Sequence, residues 1–169
     1  MTELINKFIS WAKNNNWKII QEKNDINNLP DNNLLIKYNI PGEYKTFLEN
    51  IKMCENNEQT VWFLCINDYS EESRSSFIWD EYKNMCSQYP YNEDDEIENY
   101  FKKFLPVVLN IRSEHNFSGN FKYYAINTET NEIIYGHGLG YGEEFENIKV
   151  ISNDFISFLN SIINEEIII

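Results

Sequence analysis

Apolar residues recur along the chain with two different periods, and the switches between them predict the order of elements. Leu4, Ile5, Phe8, Ile9, Trp11 and Ala12 fall three and four residues apart, which predicts an opening amphipathic helix over 2–14, ended by Asn14-Asn15-Asn16. Trp17 to Gln21 reads as a short strand, and Leu29-Pro30-Asp31 punctuates the chain before a short helical stretch holding Leu34, Leu35 and Tyr38. Pro41 suits a first helical position, where its missing N–H costs nothing, and Tyr44, Phe47, Leu48 and Ile51 form one apolar stripe, so a second helix is expected here. Thr60 to Ile66 is β-branched and aromatic without polar alternation, which predicts a strand buried on both faces and central in its sheet.

Ser70 to Ser76 is a polar loop leading into a helix over 77–89 with Trp79, Tyr82, Met85, Cys86 and Tyr89, closed by Pro90. The run Glu93-Asp94-Asp95-Glu96 opens a further helix to about Phe104, its acids at the positive end of the helix dipole and Lys102 and Lys103 at the negative end. Pro106 to Ile111 and Phe121 to Asn127 read as strands, and Thr128 to Asn131 turns the chain back into Glu132 to Tyr135 as a hairpin. A glycine-spaced loop over 136–142 leads past Glu143, Glu144 and Glu146 to Lys149. Ser152 or Asn153 then caps a last helix with Phe155, Phe158, Leu159 and Ile162 on one face. The predicted fold is α+β: a single domain over 1–169 with a mostly antiparallel sheet of about five to six strands and helices packed on it.

Composition narrows what such a domain does. With 42% hydrophobic residues the chain carries the apolar surface that acidic disordered chains lack. Fourteen Lys and Arg against 27 Asp and Glu leave a net charge of −13, which repels phosphate and so argues against direct nucleic-acid binding and against an anionic membrane surface. The charge is uneven: residues 1–40 hold five bases and four acids, 41–92 four and nine, and 93–169 five and fourteen. No run approaches the roughly 18 apolar residues of a membrane-spanning helix. No basic n-region precedes an apolar stretch at the amino end, so a cytoplasmic location is expected. Cys54, Cys65 and Cys86 are odd in number and lack CxxC spacing, which suggests a reduced protein with neither a disulfide framework nor a zinc knuckle.

Candidate chemistry is sparse. Gly136, Gly138, Gly140 and Gly142 alternate but give neither GxGxxG nor a Walker lysine, and Glu143 and Glu144 would oppose a phosphate, so a connecting loop is expected. His115 and His137 have no metal-ligand spacing, and a nucleophilic pair with Cys54 or Cys86 would draw on thiols read as buried on helix faces. Carboxylate pairs for glycosidase-type chemistry must arise by chance among 27 acids. No catalytic residue, cofactor or metal is therefore expected. Trp79, Tyr89, Tyr91 and Tyr141 lie beside polar or acidic segments, as aromatics of binding patches do, although core or rim packing is the leading expectation for each.

The pieces Ile40-Pro41-Gly42-Glu43-Tyr44-Lys45-Thr46-Phe47-Leu48, Trp62-Phe63-Leu64 with Asp68-Tyr69, and Trp79-Asp80-Glu81-Tyr82 stand in a distinctive order. Phe104-Leu105-Pro106-Val107, Tyr123-Tyr124-Ala125-Ile126, Glu132-Ile133-Ile134-Tyr135 and Phe155-Ile156-Ser157-Phe158-Leu159 follow them. In that order they resemble the SUKH superfamily, which includes a fungal cell-wall-assembly regulator and many bacterial proteins, over about residues 29–163. One departure is that Glu49-Asn50-Ile51-Lys52-Met53 continues without the Asn-Gly pair that members often carry. The resemblance implies an α+β domain without a catalytic centre, used in bacteria largely as an immunity protein against a toxin of a contact-dependent or polymorphic toxin system. On that reading the partner is a cognate protein toxin, for which a basic nuclease domain would suit the charge. The binding residues would be Glu71, Glu72, Glu93, Asp94, Asp95, Glu143, Glu144 and Glu146, with Trp79 and Tyr141 as anchors. The alternatives are a regulatory protein–protein interaction module without a toxin and, more remotely, a hydrolase using surface carboxylates.

Overall fold

The computed structural model describes residues 1–70, 103–110, 122–137 and 148–169. Helix α1 spans Thr2–Asn14 and buries Ile5, Phe8, Ile9 and Ala12, so the predicted apolar stripe is its inner face. The Asn run ends it: Asn15 donates to Trp11 O at 3.0 Å, and Asn16 takes φ 59°, a left-handed conformation asparagine tolerates. Strand β1 (Lys18–Gln21) follows, then a 3-10 turn (Leu34–Lys37) that Asn33 caps by accepting from Leu35 N at 3.0 Å.

Helix α2 spans Gly42–Asn50. Pro41 is its cap rather than its first residue, and its carbonyl accepts from Lys45 N at 2.9 Å. The stripe of Tyr44, Phe47 and Leu48 is buried, but Ile51 leaves the helix and opens strand β2 (Ile51–Glu55) directly. Strand β3 (Val61–Phe63) is shorter than the apolar run 60–66. Past Phe63 the chain turns into a second 3-10 turn (Ile66–Tyr69), where the Asp68 carboxylate accepts from Cys65 N at 2.7 Å.

Strands β4 (Phe104–Asn110), β5 (Lys122–Asn127), β6 (Ile133–His137) and β7 (Lys149–Ser152) complete one sheet. Phe104 begins β4 instead of ending a helix; Lys103 before it is helical, and the rest of the helices predicted over 77–89 and from Glu93 to about Phe104 lies outside the described residues. The β5–β6 turn closes as predicted, with Asn131 at φ 66° and Asn127 N bonded to Glu132 O at 2.8 Å. Helix α3 (Phe155–Ile163) is capped by Asp154, whose carboxylate accepts from Ser157 N at 2.6 Å, and not by Ser152 or Asn153. Aspartate there also sits well in the helix dipole.

The fold is α+β, as predicted, with seven strands where five to six were expected. They lie in chain order, β1 to β7, each antiparallel to the next. The additions are β2, read as the tail of α2, and β7, which follows the glycine loop. Both edge strands are four residues long, and each carries a lysine and a register irregularity against its neighbour. Those features disfavour edge-to-edge pairing, although Ile20 and Val150 are half exposed.

The three described helices share one face of the sheet. Phe63 there meets Phe8 at 4.8 Å and Phe47 at 5.7 Å between ring centres, and Tyr124 meets Phe158 at 5.1 Å. The opposite face presents Leu109, Tyr123, Ala125 and Ile134, also buried, so the central strands are apolar on both sides. The apolar end Ile167-Ile168-Ile169 forms no strand; Ile169 packs on the core while Ile168 is exposed.

Candidate functional site

The ten predicted binding residues lie outside the described residues, and the sheet shows where their segments are rooted. Glu71, Glu72, Trp79, Glu93, Asp94 and Asp95 belong to 71–102, which joins the second 3-10 turn to β4. Tyr141, Glu143, Glu144 and Glu146 belong to 138–147, which joins β6 to β7. Pairing of Asn110 with Lys122, Lys122 with His137, and Tyr135 with Lys149 puts the roots of 111–121 and 138–147 at one end of the sheet, level with the start of β3 at Val61. The roots of 71–102 are at the other end: Ser70 follows the 3-10 turn, and Lys103 O accepts from Thr128 N at 2.9 Å beside the β5–β6 turn. At about 3.3 Å per residue, the strands hold these two sets of roots roughly 20 Å apart. Between them the two acidic connections carry twelve of the 27 acids and three of the 14 bases.

Two of the titratable groups buried in the framework are tied to each other. Tyr44 and Tyr69 are fully buried; Tyr44 donates to Leu64 O at 2.7 Å, Tyr69 bonds to Pro106 O, and the two hydroxyls meet at 2.6 Å. Burial pushes both phenols well above their usual range, so they act as neutral bolts between α2, the 3-10 turn and β4. Cys54 lies on β2 rather than on a helix face, and Cys65 caps the second 3-10 turn. Burial raises both thiols, which disfavours the thiolate a nucleophile needs. Cys86 and His115 lie outside the described residues, and His137 ends β6 opposite Lys122.

Glu55, at the end of β2, is a carboxylate bonded from three sides. It accepts from Lys18 at 3.1 Å, from Gln59 at 3.0 Å and from the Trp62 indole at 3.3 Å, locking β1, β2, the following turn and β3 together. Burial alone would raise its pKa, but the bonds from Gln59, Lys18 and Trp62 outweigh it and hold the carboxyl below its usual value. A depressed folded value means the stabilisation is complete above the ordinary glutamate range, near pH 4.3, and is lost as the pH falls through the folded value. Glu55→Gln is expected to lower stability by about 1–2 kcal/mol at pH 7. Urea midpoints of the two proteins should converge as the pH is lowered below the ordinary glutamate range; a gap unchanged with pH would refute the assignment.

A shallow, open cleft of about 660 Å³ lies between α1 and the C-terminal end of α3. Glu3, Lys7, Ser10 and Trp11 line it from α1, Asn15 from the cap of that helix, and Glu165 from just past α3. Of these residues periodicity singled out Trp11 alone, and that as part of an apolar helix face. The available signal was the acid pair Glu165-Glu166 directly after an apolar helix, where glycine or a base is usual.

Framework and connections define a class: an α+β protein built on a seven-stranded antiparallel meander with three helices on one face among the described residues. Compared with family models, with curated proteins and with solved structures, the chain gives no match. Among the described residues no group of three or more His, Cys, Asp or Glu is placed to hold a metal ion, and no helix is long and apolar enough to cross a membrane.

Proposed function

We propose that this chain works by binding, as an immunity protein that holds and neutralises a cognate toxin of a bacterial polymorphic or contact-dependent toxin system. The observation that carries the reading is the partition of charge: two connections rooted at opposite ends of the sheet account for −9 of the net −13. In the framework between them Tyr44, Tyr69 and Glu55 are bonded within the protein, so they serve cohesion. Acids gathered on connections steer a basic partner and speed its association, and carboxylates in place of a substrate's phosphates would occlude a nuclease groove. The resemblance to SUKH proteins supports the same reading.

The test is to express the protein encoded immediately upstream of this gene, alone and together with this chain. Growth arrest by the neighbour alone and rescue by co-expression are expected. Reversing Glu93, Asp94, Asp95, Glu143, Glu144 and Glu146 to lysine is expected to abolish rescue and to slow association by about tenfold or more at low salt, with far-UV circular dichroism unchanged. A neighbour without toxicity refutes the immunity reading, and undiminished rescue by the six-fold variant refutes the electrostatic mechanism.

A further inference from the structure

We propose that the cleft between α1 and the end of α3 is a second contact surface, which takes a cationic side chain, an arginine by preference, from a protein partner. Glu165 carries the argument. Glu165 N bonds to Ile162 O at 3.0 Å and Glu166 N to Ser161 O at 2.8 Å, the bond pattern of a glycine-type helix end, yet Glu165 occupies the glycine position at φ 60°. A side chain held left-handed is strained, and a carboxylate at the negative end of a helix is repelled by the dipole. Two local rules are thus broken at one residue, and that residue faces the cleft.

The charges around it are incomplete. Glu3 is paired with Lys7 at 2.9 Å and Glu166 is bonded to Ser161 at 2.8 Å, whereas the Glu165 carboxylate has neither an ion pair nor a hydrogen bond among the described residues. Among the described residues Lys7 is the one cation lining the cleft, against Glu3, Glu165 and the negative end of α3. Trp11, half-buried and stacked on Phe8 at 5.5 Å, lines the same cleft. A guanidinium matches this combination, because it pairs with a carboxylate through its planar fork and stacks on an aromatic face. An isolated ammonium offers the charge without the plane.

The inference rests on the chain being a protein binder, and its test does not require the toxin. Hexa-arginine peptide is titrated into the full chain while the Trp11 indole N–H is followed by NMR, so that peptide held by the acidic connections does not enter the readout. A saturable shift at Trp11 is expected, with an apparent affinity about tenfold weaker in both Glu165→Gln and Glu165→Gly. Glu165→Gly is at the same time expected to melt about 2–4 °C higher, because the left-handed strain and the dipole repulsion are removed. Opposite signs for stability and binding are the signature; a purely structural Glu165 would lose stability instead. Equal binding at Trp11 by wild type and both variants overturns the proposal. So does a Trp11 shift that tracks protein concentration without peptide, which would make a second copy of the chain the occupant. Binding at the cleft beside a non-toxic upstream protein leaves this inference standing and refutes the immunity reading alone.

Discussion

Phe47→Ala is expected to destabilise the protein by about 3–5 kcal/mol, the cost of deleting a buried aromatic ring whose cavity cannot collapse. The ring is fully buried and meets four others: Phe8 at 5.7 Å, Phe63 at 5.7 Å, Phe155 at 5.5 Å and Tyr44 at 6.0 Å. Those partners lie on α1, β3, α3 and α2, so one side chain joins all three described helices to the sheet. Edge-to-face and stacked pairs add to the area term. For a chain of this size the melting temperature should fall by roughly 6–20 °C. Phe47→Leu, which refills part of the volume, should lose less than half as much. A calorimetric loss below about 1 kcal/mol for Phe47→Ala would show that the helices are not joined through this ring.

Gly136→Ala is expected to be the most damaging small substitution, costing about 2–3 kcal/mol by overpacking. Gly136 pairs with Tyr123 across β5 and β6, and a Cβ built on it would stand 2.2 Å from Tyr123 Cζ and 2.3 Å from Tyr123 Oη. Tyr123 is itself buried, so its ring has little room to move aside. The ring covers the missing side chain of its partner, a cross-strand arrangement that a methyl group would undo. The sharper measurement is a double-mutant cycle on urea midpoints: in a Tyr123→Ala background, Gly136→Ala should be close to neutral. Equal costs in the two backgrounds would place the damage in the backbone instead. The glycine alternation after β6 is thus read differently once the sheet is seen, because Gly136 belongs to the strand and its absent side chain is a packing requirement.

Helices were legible because their hydrogen bonds and apolar faces are local: the three- and four-residue spacing over 2–14 and around Phe155 to Ile162 placed α1 and α3 closely. The β5–β6 hairpin was legible for the same reason, since its turn and both partners are neighbours in the chain. Strand β2 was not. Lys52 and Met53 continue a helical polarity pattern from α2, and only pairing with β1 and β3 on either side makes Ile51–Glu55 a strand. Strand β7 was missed likewise, because half-exposed Lys149 and Val150 lack the apolar content of a strand and owe their conformation to β6.

The same division runs through the candidate surfaces. Net charge, its drift toward the acidic carboxyl-terminal two-thirds and the identity of the acids are sums over residues, so the sequence alone determines them. Chain order also determined that helices and antiparallel strands would share one domain. Which end of the sheet each acidic connection is rooted at follows from strand register, a long-range property carried by pairs such as Asn110 with Lys122. The ion pair of Glu55 with Lys18 and the meeting of α1 with Glu165 likewise depend on groups far apart in the chain. No spacing rule reaches across 37 residues from Lys18 to Glu55, and there packing and cross-strand pairing decide.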